Sequence, residues 1–272
     1  MAEKVWFVTG SSRGFGRVWV EAALERGDKV AATARSVSDI DDLKATYGDA
    51  VLPLALDVTD REAIGPAVKA AHETFGRIDV LVNNAGYGSF GAVEEVTEDD
   101  ARAQMEVNFF GSLWMTQAVL PIMRAQKAGR ILMVSSIGGI VAFSNIGLYH
   151  ASKWALEGLS ESLSQEIAPF GIDVTLVEPG AYSTDWSGSS AKRAKELPAY
   201  AEMHAAAKQR SANNAPGDPE ATATAILKLV DTEKPPLRLF LGTSGLPLAK
   251  QRYQERIATW EQWADVSNAA QN

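Results

Sequence analysis

A doubly wound α/β fold is what this sequence predicts: a parallel sheet of about seven strands, helices on both faces, and a single domain over residues 1–272. Three observations carry the prediction. Short, continuously apolar runs recur along the chain, amphipathic segments at helical spacing separate them, and the runs end in glycine-containing or polar turns. Strands without polar alternation need cover on both faces, which a parallel sheet flanked by helices supplies.

The elements follow in order. Val5-Trp6-Phe7-Val8 is an apolar strand that ends in Thr9-Gly10-Ser11-Ser12-Arg13-Gly14-Phe15-Gly16. Val18, Val20, Ala22, Ala23 and Leu24 then repeat at helical spacing up to Gly27. Lys29–Ala34 is a second strand, closed by Arg35 and Ser36, and Val51–Leu56 a third, ending at Asp57 and Val58. A helix starts near Asp60 with Ala63, Ala67, Val68, Ala71 and Phe75 on one side, and Asp79–Val82 is a fourth strand ending at Asn83-Asn84-Ala85-Gly86. A long helical region runs from about Glu98 to Gln126, broken or bent near Asn108-Phe109-Phe110-Gly111. Arg130–Val134 is a strand ending in Ser135-Ser136, a helix covers about Leu148 to Phe170, and Asp173–Val177 ends at Glu178-Pro179-Gly180. Beyond Pro179 the rhythm loosens. Residues 185–214, rich in Ala, Ser, Lys and Asn, show no clear strand and read as a lid or substrate loop. A short helix from Pro219 to Val230, the strand Leu237–Leu241 and a helix over about Leu248 to Ala264 complete the pattern, with 245–272 as a C-terminal helical extension.

Composition narrows the function. Hydrophobic residues make up 46% and charged residues 22%, ordinary for a soluble globular chain. A net charge of −8 argues against non-specific binding to nucleic acid or to an anionic membrane. The absence of cysteine excludes disulfides, thiolate metal sites and cysteine nucleophiles, and fits a reducing compartment. No apolar run approaches the roughly 20 residues a spanning helix needs, and the N-terminus lacks signal-peptide character. A cytoplasmic location is the simplest expectation. His72, His150 and His204 are scattered, so no metal site is expected, and His150 reads as incidental. Asp99 and Asp100 read as helix-start charges.

Two stretches suggest chemistry. The glycine turn Gly10-x-x-x-Gly14-x-Gly16 lies between a strand and a helix, where glycines let the backbone approach phosphates that a helix N-terminus attracts. A carboxylate at the end of the second strand would bind the ribose hydroxyl of NAD, whereas arginine can accept a 2′-phosphate. This chain has Arg35-Ser36 there and Arg13 inside the turn, which favours NADP(H) over NAD(H). The second stretch is Tyr149-x-x-x-Lys153. On a helix the two side chains stand one above the other, and an ammonium beside the phenol lowers its pKa from about 10, making a usable proton donor and acceptor.

Together these motifs resemble the short-chain dehydrogenase/reductase family over about residues 4–184. Thr9-Gly10-x-x-x-Gly14-x-Gly16 is similar to its cofactor turn, Asn83-Asn84-Ala85-Gly86 to its strand-end motif, and Tyr149-x-x-x-Lys153 to its active-site motif. Ser136 precedes Tyr149 by the family's thirteen residues, which favours it over Ser135; Asn108 stands in a Val-Asn-Phe context, and Pro179-Gly180-x-x-x-Thr184 resembles the nicotinamide loop. The resemblance implies a Rossmann-like fold with Asn108, Ser136, Tyr149 and Lys153 as the catalytic group. It implies a cofactor site lined by Gly10, Ser12, Arg13, Gly14, Phe15, Gly16, Arg35 and Ser36 at one end. Asp57 and Val58 would meet the adenine; Asn83, Asn84, Ala85 and Gly86 would lie along the adenosine and ribose. Lys153 would grip the nicotinamide ribose beside Tyr149, while Pro179, Gly180, the Tyr182 backbone and Thr184 would face the carboxamide. Ser136 would hold the substrate oxygen, and Asn108 a water on a proton path to Lys153.

The substrate wall is expected near Ser136, Ile137, Phe143, Tyr149 and Trp186, suited to an apolar or aromatic ketone, aldehyde or secondary alcohol. Rival readings are a reductase of carrier-bound 3-oxoacyl chains, which a basic patch at the pocket mouth would favour, and a non-catalytic NADP sensor, which the intact catalytic set disfavours. The family's habit implies a homodimer or homotetramer through the helices near 107–127 and 148–170. Trp260 and Trp263 could cover the chain's own core or a neighbour.

Overall fold

The structure is a computed structural model that describes residues 3–212 and 215–271; positions 213–214 of the expected lid and 272 of the C-terminal extension lie outside the described residues. Strands β1 Val5–Val8, β2 Lys29–Ala34, β3 Val51–Ala55, β4 Val80–Asn83, β6 Gly129–Val134, β7 Ile172–Pro179 and β9 Arg238–Leu241 form one seven-stranded sheet in the order β3-β2-β1-β4-β6-β7-β9. Every pairing in it is parallel. A second, two-stranded pairing joins β5 Ser89–Phe90 to β8 Lys192–Arg193.

Side chains leave the strands alternately, so each strand feeds two cores. Trp6 and Val8 of β1, Val30 and Ala32 of β2, and Leu132 and Val134 of β6 pack on one face, under α1 Gly14–Glu25 and α8 Ala223–Asp231. Phe7, Ala31, Ile131 and Met133 point to the other, under α3 Arg61–Phe75, α5 Gly111–Gln126 and α6 Gly147–Ile167. The buried indoles find acceptors, as desolvated N–H groups require: Trp6 donates to Asp28 at 2.8 Å and Trp19 to Thr222 Oγ1 at 2.8 Å. Pro53 is tolerated because β3 lies at the sheet edge, where a ladder donor can be missing.

The structure refines the sequence reading in four places. A helix, α2 Asp41–Tyr47, stands between β2 and β3 where none was expected; seven residues with Ile40 and Leu43 as the buried anchors are too few to show a period. The break or bend expected near Asn108 is a five-residue π-helical turn, Glu106–Phe110, joining α4 Glu98–Met105 to α5. The segment read as having no strand holds β8 and a twelve-residue helix, α7 Ala201–Ala212. The expected C-terminal helical extension is two helices, α9 Gly245–Gln262 and α10 Ala264–Ala269, rather than one. It touches the body mainly through Leu248 and the buried Ala249, and leaves Tyr253, Ile257, Trp260 and Trp263 exposed. Among the described residues no helix is long and apolar enough to cross a membrane.

Candidate active site

A cleft of about 840 Å³ runs along the carboxyl ends of the strands, where the sheet order reverses between β1 and β4. At one end the glycine turn is shaped by its glycines. Gly10 and Gly14 have φ of 68° and 59°, the left-handed region that favours glycine. A methyl on Gly16 would stand 2.2 Å from the Gly10 carbonyl oxygen and 2.5 Å from Asn84 Nδ2. Asn84 braces the turn by donating to the carbonyls of Thr9 and Gly10, both at 2.9 Å. The N-terminus of α1 has no side-chain cap, so its amides are available to an anion. These features fit a dinucleotide pyrophosphate.

Ser12, Arg13, Arg35 and Asp39 line a small polar recess beside the turn. Arg13 also pairs with Asp185 at 3.1 Å, tying the loop after β7 to the glycine turn. The cleft continues past Asp57, Val58, Ala85, Gly86, Pro179, Gly180, Tyr182 and Thr184. Ser36 lies outside its lining, bonded to Ser38 at 2.7 Å. Phe15 lines it while stacking on Trp19 and meeting the edge of the Tyr182 ring. Asn83 does not line the cleft: its side chain turns into the core and donates to Thr116 at 2.9 Å. Successive strand residues point to opposite faces, so of the Asn83–Asn84 pair only Asn84 faces the cleft.

At the other end Ser136, Tyr149 and Lys153 meet in the cleft wall. Tyr149 and Lys153 lie one turn apart on α6, whereas Ser136 caps the turn after β6 and accepts from the Gly138 amide at 3.0 Å. Burial pushes the Tyr149 phenol up to about 12, partly offset by its hydrogen bond with Ser136. The expected depression by Lys153 is not realised. The ammonium lies 5.7 Å from the centre of the phenol ring and donates to the Val134 carbonyl at 2.7 Å, so desolvation dominates. Lys153 is itself pulled down to about 8 by burial, which the charge of Glu157 opposes. Asn108 sits in the π-helical turn with its amide engaged: Nδ2 donates to the Tyr87 carbonyl and Ser152, and Oδ1 accepts from the Tyr87 amide.

Trp186 packs edge-on against Tyr149 with ring centres 4.8 Å apart, and Phe90 flanks it at 5.3 Å. Ile137 and Phe143 lie outside the cleft lining and pack with Ile140, Val141 and Ala249 beneath α9. The 3₁₀ turn after Ser136 carries that loop away from the cleft. Among the described residues no cluster of three or more metal-ligating side chains occurs.

Residues 4–195 match the short chain dehydrogenase family profile. The chain belongs to this family. It is 42% identical to an oxidoreductase of Botryotinia fuckeliana (BOA17), over 98% of this chain and 99% of that protein. Its fold superposes on the crystal structure of a short-chain dehydrogenase from Streptomyces avermitilis with a TM-score of 0.92 and 43% identity, covering 99% and 98% of the two chains. A short-chain dehydrogenase from Burkholderia cenocepacia solved in complex with NADP gives a TM-score of 0.77 at 29% identity, covering 96% and 97%. As a short-chain dehydrogenase, the chain is an oxidoreductase that interconverts CH–OH and C=O groups with a nicotinamide cofactor.

Two features of this short-chain dehydrogenase escaped sequence reasoning. His150 is built in, with its ring buried: Nδ1 donates to the Gly138 carbonyl at 2.7 Å and Nε2 accepts from the Phe143 amide at 2.9 Å. With the backbone taking both nitrogens in these roles, the neutral ring fits, and burial holds its pKa below the ordinary value. The second is a buried pair, Glu157 and Glu178, with Arg238 beside them. Its only sequence signal was Glu157 at four residues past Lys153, on the same helical stripe.

Proposed function

We propose that the chain is an NADP-dependent carbonyl reductase or alcohol dehydrogenase in which Tyr149 is the general acid and base. The observation that carries this reading is one continuous cleft with two ends: the glycine turn with Arg13 and Arg35, and the wall of Ser136, Tyr149 and Lys153. In the polar recess Arg35 and Arg13, the latter also paired with Asp185, supply the guanidinium donors that a 2′-phosphate would take.

The bound nicotinamide would supply or accept the hydride. The chain's own residues position the oxygen and move the proton. Ser136 donates a hydrogen bond to the carbonyl oxygen, and Tyr149 protonates that oxygen as negative charge grows on it. A phenol held protonated well above neutral pH is ready to donate in the reductive direction. Lys153, with its ammonium 5.7 Å from the centre of the phenol ring, would grip the nicotinamide ribose beside Tyr149. Trp186 and Phe90 wall off water and favour an apolar or aromatic carbonyl substrate. A soluble, cytoplasmic homodimer or homotetramer is the setting we infer.

A second reading is favoured by Lys192 in the cleft lining and its neighbour Arg193, stacked at 4.4 Å over the lining residue Phe90: a reductase of carrier-bound 3-oxoacyl chains. A panel of ketones, aldehydes, alcohols and 3-oxoacyl thioesters, read by NADPH and NADH consumption, tests both. Turnover of free carbonyls with NADPH supports the first reading. Preference for NADH would sink the role of Arg13 and Arg35.

A further inference from the structure

Tyr149, Lys153 and Glu157 stand at one-turn intervals on the same stripe of α6, and all three are buried. Each reaches the end of β6. Tyr149 hydrogen-bonds Ser136, Lys153 donates to the Val134 carbonyl at 2.7 Å, and Glu157 Oε1 accepts from Ser135 Oγ at 2.5 Å. The other Glu157 oxygen accepts from Arg238 Nε at 3.0 Å, and Arg238 reaches on to Glu161 at 2.7 Å. A methyl on Gly139 would stand 2.8 Å from Glu157 Oε1, so the turn after Ser136 is packed onto this carboxyl as well.

Glu178 on β7 faces the same cluster with no exposed surface. Neither of its oxygens has a hydrogen-bond partner among the described residues, and Arg238 lies 3.6 Å away. An ionised carboxylate without hydrogen bonds in such a place would be strongly destabilising. Glu178 is therefore the member that keeps its proton; burial, reinforced by the charge of Glu157, pushes it up to about 8. Burial raises the Glu157 carboxyl as well, but a hydroxyl and a guanidinium donate to it, so of the pair Glu157 is the one that carries the negative charge.

We propose that Glu157 is a positioning residue for the catalytic group, holding the Lys153 ammonium by its charge and, through Ser135, the backbone that presents Ser136. This rests on the reading of Lys153 as part of that group. The groups that face Glu157 are Lys153 and Glu161 on α6, Ser135 at the end of β6, Glu178 on β7 and Arg238 on β9. Of the two buried carboxyls, Glu157 is the one whose charge bears on Lys153, while Glu178 faces Glu157 and Arg238. Removing the Glu157 carboxylate takes away an interaction that favours the charged amine, so Lys153 must lose its proton at lower pH.

The test is a lysine side-chain NMR titration of the full-length protein, with Lys153 assigned by its absence in Lys153→Arg. Glu157→Gln is expected to move the Lys153 midpoint down by about one pH unit, and Glu157→Asp to restore most of it. Glu178→Gln, an isostere of the protonated acid, is expected to leave the midpoint in place. The high-pH limb of turnover should follow the same order. An unmoved midpoint in Glu157→Gln, or an equal shift in Glu178→Gln, would overturn the proposal. If Glu157→Gln does not fold, the wild-type protein still decides the question: the Glu157 carboxyl carbon should inflect at the Lys153 midpoint, and its failure to do so counts against the proposal. The titration reads Lys153 directly, so a substrate panel without turnover would defeat the functional reading while leaving this result standing.

Discussion

Gly16 shows how tightly single residues are specified at the nucleotide end. A side chain there collides with the Gly10 carbonyl and the Asn84 amide, both already committed to each other. Gly16→Ala is expected to lower stability by about 1 to 3 kcal/mol and to weaken NADPH binding; urea unfolding and cofactor titration measure the two effects. Replacing both Arg13 and Arg35 by Ala should weaken NADPH binding tenfold or more while sparing NADH, since a hydrogen bond to a charged phosphate contributes about 1.5 to 3 kcal/mol. Glycines and arginines at these positions are legible because a strand–turn–helix context gives them meaning in a short window. His150 was not legible. Its partners are the backbone of Gly138 and Phe143, twelve and seven residues away, and the turn that brings them together leaves no mark beyond two glycines. His150→Ala would strand one carbonyl and one amide, and should destabilise the protein by about 1 to 3 kcal/mol in urea unfolding. Ile137 and Phe143 follow Ser136 closely in sequence, yet the same turn sends them beneath α9 and away from the expected substrate wall.

At the scale of elements, helices and strands with long apolar periods could be read, whereas those held by tertiary contacts could not. Helix α7 carries one buried residue, His204, and so lacks an apolar stripe. It is pinned to the body by the buried Glu95, which accepts from His204 at 2.9 Å and from the Leu197 and Ala92 amides at 2.7 Å. Burial acts to raise the Glu95 pKa, but the hydrogen bonds from His204, Leu197 and Ala92 outweigh it and hold the acid at about 2. A depressed acid stabilises the folded state above its unfolded value of 4.5 and loses that contribution as pH falls towards about 2. Glu95→Ala should therefore speed amide exchange across α7 at neutral pH, and wild-type α7 should loosen in the same way as pH drops through that window. Equal protection of α7 in both proteins would contradict its attachment through Glu95. The π-helical turn was visible only as Asn108-Phe109-Phe110-Gly111, a run that disturbs the helical period. Its purpose is plain in the fold, where it turns Asn108 inward to clamp Tyr87 at the cleft wall.

Across the whole molecule, the alternation of strands and helices announced a parallel sheet, but strand order depends on crossovers that no local pattern encodes. That order places β1 and β4 side by side and so opens the cleft. Global stability carries a mark of the buried carboxyl pair. Glu178 is raised from 4.5 to about 8, so between these values the folded state binds more protons than the unfolded state, and stability falls as pH rises through the window. Thermal melts from pH 5 to 8 should show this decline, and Glu178→Gln should flatten it. The claim on which the rest depends is that Tyr149 moves the proton. It is tested most directly by Tyr149→Phe, with NADPH-dependent carbonyl reduction and NADPH binding measured on the same preparation. Loss of turnover with nearly unchanged cofactor binding is the expected result, and turnover near that of the unaltered protein would contradict the account.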